Sequence, residues 1–341
     1  MDNESVRGAR DPGAARRVVV IGTGGTIAGR AASARDNIGY SAAEVGVAEL
    51  VDELAPEGFT LLTEQVAQLD SKDMDLETWK ALAIRCADWL SRPDVDGIVI
   101  THGTDTLEET AYFLHSVLDA DKPVVLTCAM RPASAMAPDG PQNMRDAIRL
   151  ASGLAHPGAK GVTVLCAGRV HSAVDVQKVH TYRLDAFESG DAGPVGHMEE
   201  GALRRVREWP TADAAAAARS LDLVRRLAVD RWPRIEIATS HAGATGHPID
   251  ALCEHASTSG HVLHGLVLAA TGNGTLHRGV EAAALRAQQA GVEVVRATKC
   301  VQGRILATQH STLRQAGALS PVKARIALML ELLEERALPA R

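Results

Sequence analysis

The chain has 341 residues, 46% hydrophobic and 23% charged, with a formal net charge of −6, which is a globular composition long enough for two α/β domains. Aromatic residues at 3% and a pI of about 6.1 argue against base-stacking platforms and against the basic footprint of a nucleic-acid binder. A small anionic or zwitterionic ligand stays open, because local fields can oppose the net charge.

The N-terminus, "MDNESVRGARDPGAARR", is polar and carries no apolar core of a signal peptide, so residues 1–16 are expected as a flexible segment of a cytoplasmic protein. A buried strand is predicted over 17–23. The stretch 29–46 after it is rich in Gly, Ala, Ser and Asn without an apolar period, and reads equally as a lid or a passive surface loop. "FTLLTEQVAQL" (59–69) is a strand. Residues 75–90 form an amphipathic helix with Leu76, Trp79, Leu82, Ala83, Cys86 and Leu90 on one face.

"VDGIVITHGTDT" then runs from strand into turn, "LEETAYFLHSVLD" is a helix, "KPVVLTCAM" a strand, "NMRDAIRLASGLA" a helix and "GVTVLCAG" a strand. This alternation implies a doubly wound, mostly parallel sheet. Residues 210–232 read as a linker with room for a helical piece. A second alternation follows: strands at "RIEIATS", "HGLVLAATG" and "VEVVRAT", helices near 277–290 and 321–335. The expected architecture is a larger N-terminal α/β domain (17–209) and a smaller C-terminal α/β domain (233–341).

Five scattered cysteines without C-x-x-C spacing argue against a disulfide framework or a zinc site, and Cys128 and Cys166 are expected as buried thiols. The 13 histidines include no H-E-x-x-H, and "GHVLHG" (260–265) suits a strand with its two imidazoles on opposite faces, so no metal and no cofactor are expected.

The stretch that invites a chemical reading is "VVVIGTGGTIAG" (18–29). Gly22 and Gly24 fit the first two positions of a dinucleotide loop, but the third falls on Ile27, and no Walker A lysine is present. What remains is a glycine turn at a strand's carboxyl end, where Thr23 either caps the turn or is presented to a ligand. In "THGTDTLEETAYFL", Thr104 and Asp105 follow another strand; Asp105 reads as a helix cap or as half of a hydroxyl–carboxylate pair. If the two strands neighbour each other, these groups converge as an acyl-transfer site requires.

"TGGTIAG" together with "THGTDTLEETAYFL" resembles the bacterial L-asparaginase family, two-domain amidohydrolases with a threonine nucleophile. "DSKDM", "KPVVLTCAMRP", "DGPQNMRDA", "DVQKVHT" and "TGNGTL" match as well, so the resemblance spans roughly 20–335. It implies Thr23 as nucleophile, Tyr40 as the lid tyrosine approaching it, and Thr104, Asp105 and Lys178 as a second triad. It further implies Asp105 and Ser71 on the substrate's α-ammonium and α-carboxylate, with Gly103, Thr104 and Ala129 lining the substrate. Asn273 would reach a neighbouring subunit's site in a homotetramer or homodimer. The implied reaction is hydrolysis of L-asparagine through a threonyl acyl-enzyme.

Two departures stand out. Lys72 occupies a position that in the family is often glutamine. The segment 299–321 holds no acidic residue where enzymes with strong glutaminase activity usually have a carboxylate, which implies low glutaminase activity. The competing readings are a glutamine-directed amidotransferase-type subunit, a non-catalytic amino-acid-binding relative and a nicotinamide-dependent oxidoreductase.

Overall fold

The computed structural model describes residues 16–51, 54–307 and 313–337. The expected flexible segment 1–16 lies outside the described residues except for Arg16, which already belongs to the first strand.

The larger sheet has eight strands: β1 (Arg16–Gly24), β2 (Phe59–Leu69), β3 (Val95–Thr101), β4 (Pro123–Thr127), β5 (Gly161–Cys166), β6 (Arg169–Ser172), β7 (Gly196–Glu199) and β8 (Ala202–Arg205). Their spatial order is β8-β7-β6-β5-β4-β3-β1-β2. The first five are parallel. From β5 onward the sheet continues as an antiparallel meander, which the sequence pattern of these short strands does not announce.

The β-branched runs follow from burial on both faces. Val19, Ile21, Ile98, Ile100, Val124 and Leu126 face helices α1 (Leu76–Leu90) and α2 (Leu107–Val117), meeting Trp79, Leu82, Phe113 and Leu114. Val18, Val20, Val99 and Val125 face α3 (Gly140–Ala151), meeting Met144, Ala147 and Ile148. Asp75 caps α1 by accepting the Thr78 N–H at 2.7 Å.

The span 210–232 is a packed element. It holds α4 (Ala214–Arg226), N-capped by the Asp213 carboxylate. Leu223, Val224 and Trp232 are part of the N-terminal core.

The smaller sheet, β9 (Ile235–Thr239), β10 (Gly265–Ala270), β11 (Glu293–Thr298) and β12 (Arg314–Gln315), is parallel in chain order. Its helices are α5 (His247–Ser259), α6 (Arg278–Gln289) and α7 (Pro321–Ala337). α5 carries no clear apolar period in sequence; Pro248 in its first turn and left-handed Gly260 at its end delimit it. The strand expected through His261 and His264 is therefore a helix end and a loop, and the His264 ring accepts the Arg234 N–H at 3.0 Å. α7 packs back onto α2 and α4 and contributes Ile326, Leu328 and Met329 to the N-terminal core, so the two domains share one apolar seam.

Candidate active site

Strand ends β1, β2 and β3 meet at the carboxyl edge of the large sheet, where ligands bind in parallel α/β proteins. Gly24 (φ 102°) and Gly25 (φ 85°) turn the chain through backbone conformations that an L side chain rarely adopts. A Cβ on Gly25 would overlap Gly103 N and Cα, and one on Gly103 would overlap Ser71 Oγ. The Gly25 N–H donates to Leu69 O at 3.0 Å. Absence of side chains at these glycines lets three loops close on one another, and each presents a hydroxyl one residue on or opposite: Thr26, Thr104 and Ser71.

Thr23 lies elsewhere than expected. It is still within β1, fully buried, and its hydroxyl donates to Thr101 O of β3 at 2.8 Å. The hydroxyl that meets Tyr40 is that of Thr26, with Oγ1 2.6 Å from the phenol oxygen. Thr26 opens the 3₁₀ turn Thr26–Ala28, which occupies the place of the helix that a dinucleotide loop would need.

The loop 29–46 is a built element: Arg30–Ala31 pairs antiparallel with Tyr40–Ser41. Ala31 N–H donates to Ser134 Oγ at 2.8 Å and Met136 N–H to Ala34 O at 3.0 Å, fastening this ribbon to the loop after β4. Burial, together with the charges of Asp70 and Asp105, keeps the Tyr40 phenol above its ordinary pKa, opposed by its hydrogen bond with Thr26.

On the opposite side, Lys178 Nζ donates to Thr104 Oγ1 at 2.8 Å and to Asp105 Oδ1 at 2.5 Å. Lys178 sits on the two-residue strand Gln177–Lys178, paired with Phe187–Glu188. The N-cap position of α2 is Thr106, whose hydroxyl donates to Ser71 O at 2.7 Å, so the Asp105 carboxylate is turned to Lys178 and solvent. Ser71 Oγ accepts the Asp105 N–H at 3.2 Å. Lys72 is exposed, with its ammonium on Asp73 and Asp70. Asp175 is held by Arg207, whose two terminal nitrogens each donate to Oδ2 at 3.1 Å.

Three supporting groups lie within the matched motifs without a role that the motifs reveal. His102 is fully buried; its Nδ1–H donates to Gly103 O at 2.7 Å, Nε2 accepts from Thr110 Oγ1 at 2.8 Å, and Trp79 Nε1–H donates to Thr110 at 2.9 Å. This chain fixes the neutral tautomer and holds the Gly103 loop. Asn143 donates to Cys128 O at 2.9 Å and accepts the Ala167 N–H at 3.0 Å. Asp139 accepts the Met130 and Arg131 N–H groups, each at 2.9 Å. Ala129 is thus clamped from both sides. Cys128 and Cys166 are buried thiols with Sγ atoms 2.9 Å apart. Asn273 bonds away from this cluster, exchanging hydrogen bonds with the Leu306 backbone at 3.1 and 2.7 Å.

Burial pushes the His102 imidazole down to about 4 from its ordinary 6.5. The unfolded chain protonates it near 6.5 and the folded chain does not until about 4. As pH falls through that window, this residue favours unfolding by about 1.4 kcal/mol per pH unit. The expected NMR result is a His102 ring that keeps its neutral shifts from about pH 8 down to about pH 5; titration near 6.5 would contradict the buried network.

A family model described as "Asparaginase, N-terminal" matches residues 17–210, and one described as "Glutaminase/Asparaginase C-terminal domain" matches residues 234–338. The chain belongs to the asparaginase family. It is 35% identical to L-asparaginase 2 of Bacillus subtilis (strain 168) over 321 residues, covering 92% of this chain and 81% of the relative. It is 43% identical over 187 residues to a glutaminase-asparaginase of Pseudomonas fluorescens biotype A, covering 54% of this chain and 51% of the relative. The crystal structure of a probable cytoplasmic L-asparaginase from Campylobacter jejuni aligns with a TM-score of 0.79 at 32% identity, covering 93% of this chain and 95% of that one. The asparaginase fold therefore places the hydroxyl cluster at the edge of its larger sheet. Among the described residues, no helix is long and apolar enough to cross a membrane.

Proposed function

We propose that this asparaginase-family chain hydrolyses L-asparagine to L-aspartate and ammonia through an acyl-enzyme formed on Thr26. The observation that carries the reading is the opposition of two hydroxyl centres across touching glycines: Thr26 bonded to Tyr40, and Thr104 bonded to Lys178 beside Asp105. A threonine hydroxyl is a weak nucleophile and needs a partner for its proton. Tyr40, 2.6 Å away, is that partner for Thr26: as a neutral phenol it takes the Thr26 proton only while passing its own proton on. Thr23 has no such partner, because its proton is committed to Thr101 O inside the sheet.

In this reading Thr26 Oγ attacks the side-chain amide carbon, and backbone N–H groups around Thr104 hold the developing oxyanion. Such donors are commonly worth about 3–4 kcal/mol each. The amide nitrogen takes the proton relayed from Thr26 through the Tyr40 hydroxyl, the C–N bond breaks, and ammonia leaves. Water then attacks the ester carbon beside Thr104 and Lys178, the bond to Thr26 Oγ breaks, and the water's proton returns to Thr26 Oγ as aspartate is released. Lys178 occupies Asp105 Oδ1, which leaves Oδ2 for the substrate's α-ammonium. Ser71 Oγ accepts from Asp105 N–H and keeps its own proton for the α-carboxylate. Gly103 and Ala129 line the pocket with backbone.

The assembly proposed with this activity is a homotetramer or homodimer with sites at subunit interfaces, Asn273 and the exposed Leu306 beside it serving the neighbouring site. A cytoplasmic location is part of the same proposal, supported by five free cysteines and by likeness to the Campylobacter jejuni protein, itself described as a probable cytoplasmic L-asparaginase.

Glutamine tests the specificity. With no carboxylate in 299–321, a weaker grip on the substrate amine is expected, and kcat/KM for glutamine at least about tenfold below that for asparagine, a gap of about 1.4 kcal/mol. The second reading, comparable use of both amides, has in its favour the 43% identity to a glutaminase-asparaginase over half of the chain. Ammonia release measured with each amide separates the two, and near-equal kcat/KM values would sink the first.

A further inference from the structure

A second group of buried charges lies behind Lys178, where α2, α7 and the segment 174–178 meet. Lys323, the third residue of α7, is 1% exposed. Its ammonium donates to Val174 O at 2.8 Å and Val176 O at 2.5 Å. Glu108, in the first turn of α2, faces the same place: its carboxylate lies near the Lys178 backbone and feels the charge of Lys323. Its carboxylate oxygen Oε2 is buried without a hydrogen-bond partner among the described residues.

We propose that Lys323, reaching from the last helix of the C-terminal domain, is a positioning residue for Lys178, pinning the chain two and four residues before it. The proposal rests on Lys178 acting in the amide hydrolysis described above. The strand Gln177–Lys178 is only two residues long and pairs with only two. A ribbon of that size does not fix its own geometry. Lys323 supplies the anchoring that the short ladder lacks, with Glu108 as its counter-charge.

Desolvation offsets the attraction between buried charges, so this pair is weak evidence for stability and the role argued for Lys323 is positional. Burial pushes the Glu108 carboxyl up and the Lys323 ammonium down, and each charge opposes the other's shift. The surrounding titratable groups are Glu109 and His115 on α2, Asp175 and Lys178 on the segment, His171 on β6 and Arg325 on α7. Glu109 is paired with Arg325 and Asp175 with Arg207, so the charges left to face each other are Glu108 and Lys323.

The test is Lys323→Met in the full-length protein, assayed for asparagine well below its Tm, with hydrogen exchange followed peptide by peptide. A misplacement of about 1 Å can cost about a hundredfold in rate. The expected result is a kcat lower by about ten- to a hundredfold, a KM within about threefold, and faster exchange confined to 174–179. A kcat within about twofold of wild type overturns the proposal, as does a loss that follows the unfolded fraction with exchange faster throughout. Should Lys323→Met not fold, Glu108→Gln/Lys323→Met removes the acid left without its counter-charge, and wild-type kcat in that double variant overturns the proposal. If the wild-type protein releases no ammonia from asparagine, the functional reading fails separately. The exchange measurement still decides the anchoring: local acceleration supports it and unchanged rates at 174–179 overturn it.

Discussion

Replacing Thr26 by alanine is expected to lower kcat for asparagine by at least about a thousandfold, while Thr23→Ala keeps turnover within about tenfold of wild type. The two threonines are three residues apart, yet they stand on opposite sides of a backbone reversal. Thr23 is the penultimate residue of β1, and its hydroxyl points sideways to Thr101 O in the neighbouring strand. Removing it costs a buried hydrogen bond, about 1 kcal/mol of stability. Thr26 comes after Gly24 and Gly25 have turned the chain, and its hydroxyl faces the phenol of Tyr40. Ammonia release and thermal melts on the two variants separate the roles: one loses rate and keeps stability, the other does the reverse.

Lys178→Met is expected to lower kcat by about a hundred- to ten-thousandfold, the range of a positioned acid–base group. Among the described residues, this lysine is the group that touches both Thr104 Oγ1 and Asp105 Oδ1. Methionine keeps the length and removes the proton. Lys178→Arg retains the charge but is not expected to rescue, because a planar guanidinium does not place a donor on both Thr104 Oγ1 and Asp105 Oδ1 as the ammonium does. Steady-state kinetics on both variants check this; substantial recovery in the arginine variant would show that the charge alone suffices. Asp105→Asn should instead weigh on KM, since it takes away the proposed partner of the substrate's ammonium.

The strand ends that carry the site are legible in the sequence because β-branched runs stop at glycines: "VVVIGTGG" and "GIVITHGTD" announce both the elements and their functional edge. Which threonine of "TGGT" meets Tyr40 is not legible. That depends on the positive φ angles of Gly24 and Gly25, which rotate the second threonine toward Tyr40 and leave the first in the ladder. The 210–232 stretch reads as a linker because an alanine run carries helix propensity but little apolar stripe; packing against α2 and α7 makes it α4. Lys323 reads as a solvated charge in any single sequence, and only the closure of α7 over the N-terminal core buries it. His102 and Asn143 share that fate: their partners Thr110 and Cys128 O are brought to them by tertiary structure.

The most direct test of the central claim is to find where the acyl group rests. The protein turning over asparagine is quenched in acid, digested, and the peptides containing residues 17–30 are fragmented by mass spectrometry. The expected product is an aspartyl ester on Thr26. An ester on Thr23, or ammonia release undiminished in Thr26→Ala with no adduct on this stretch, would contradict it.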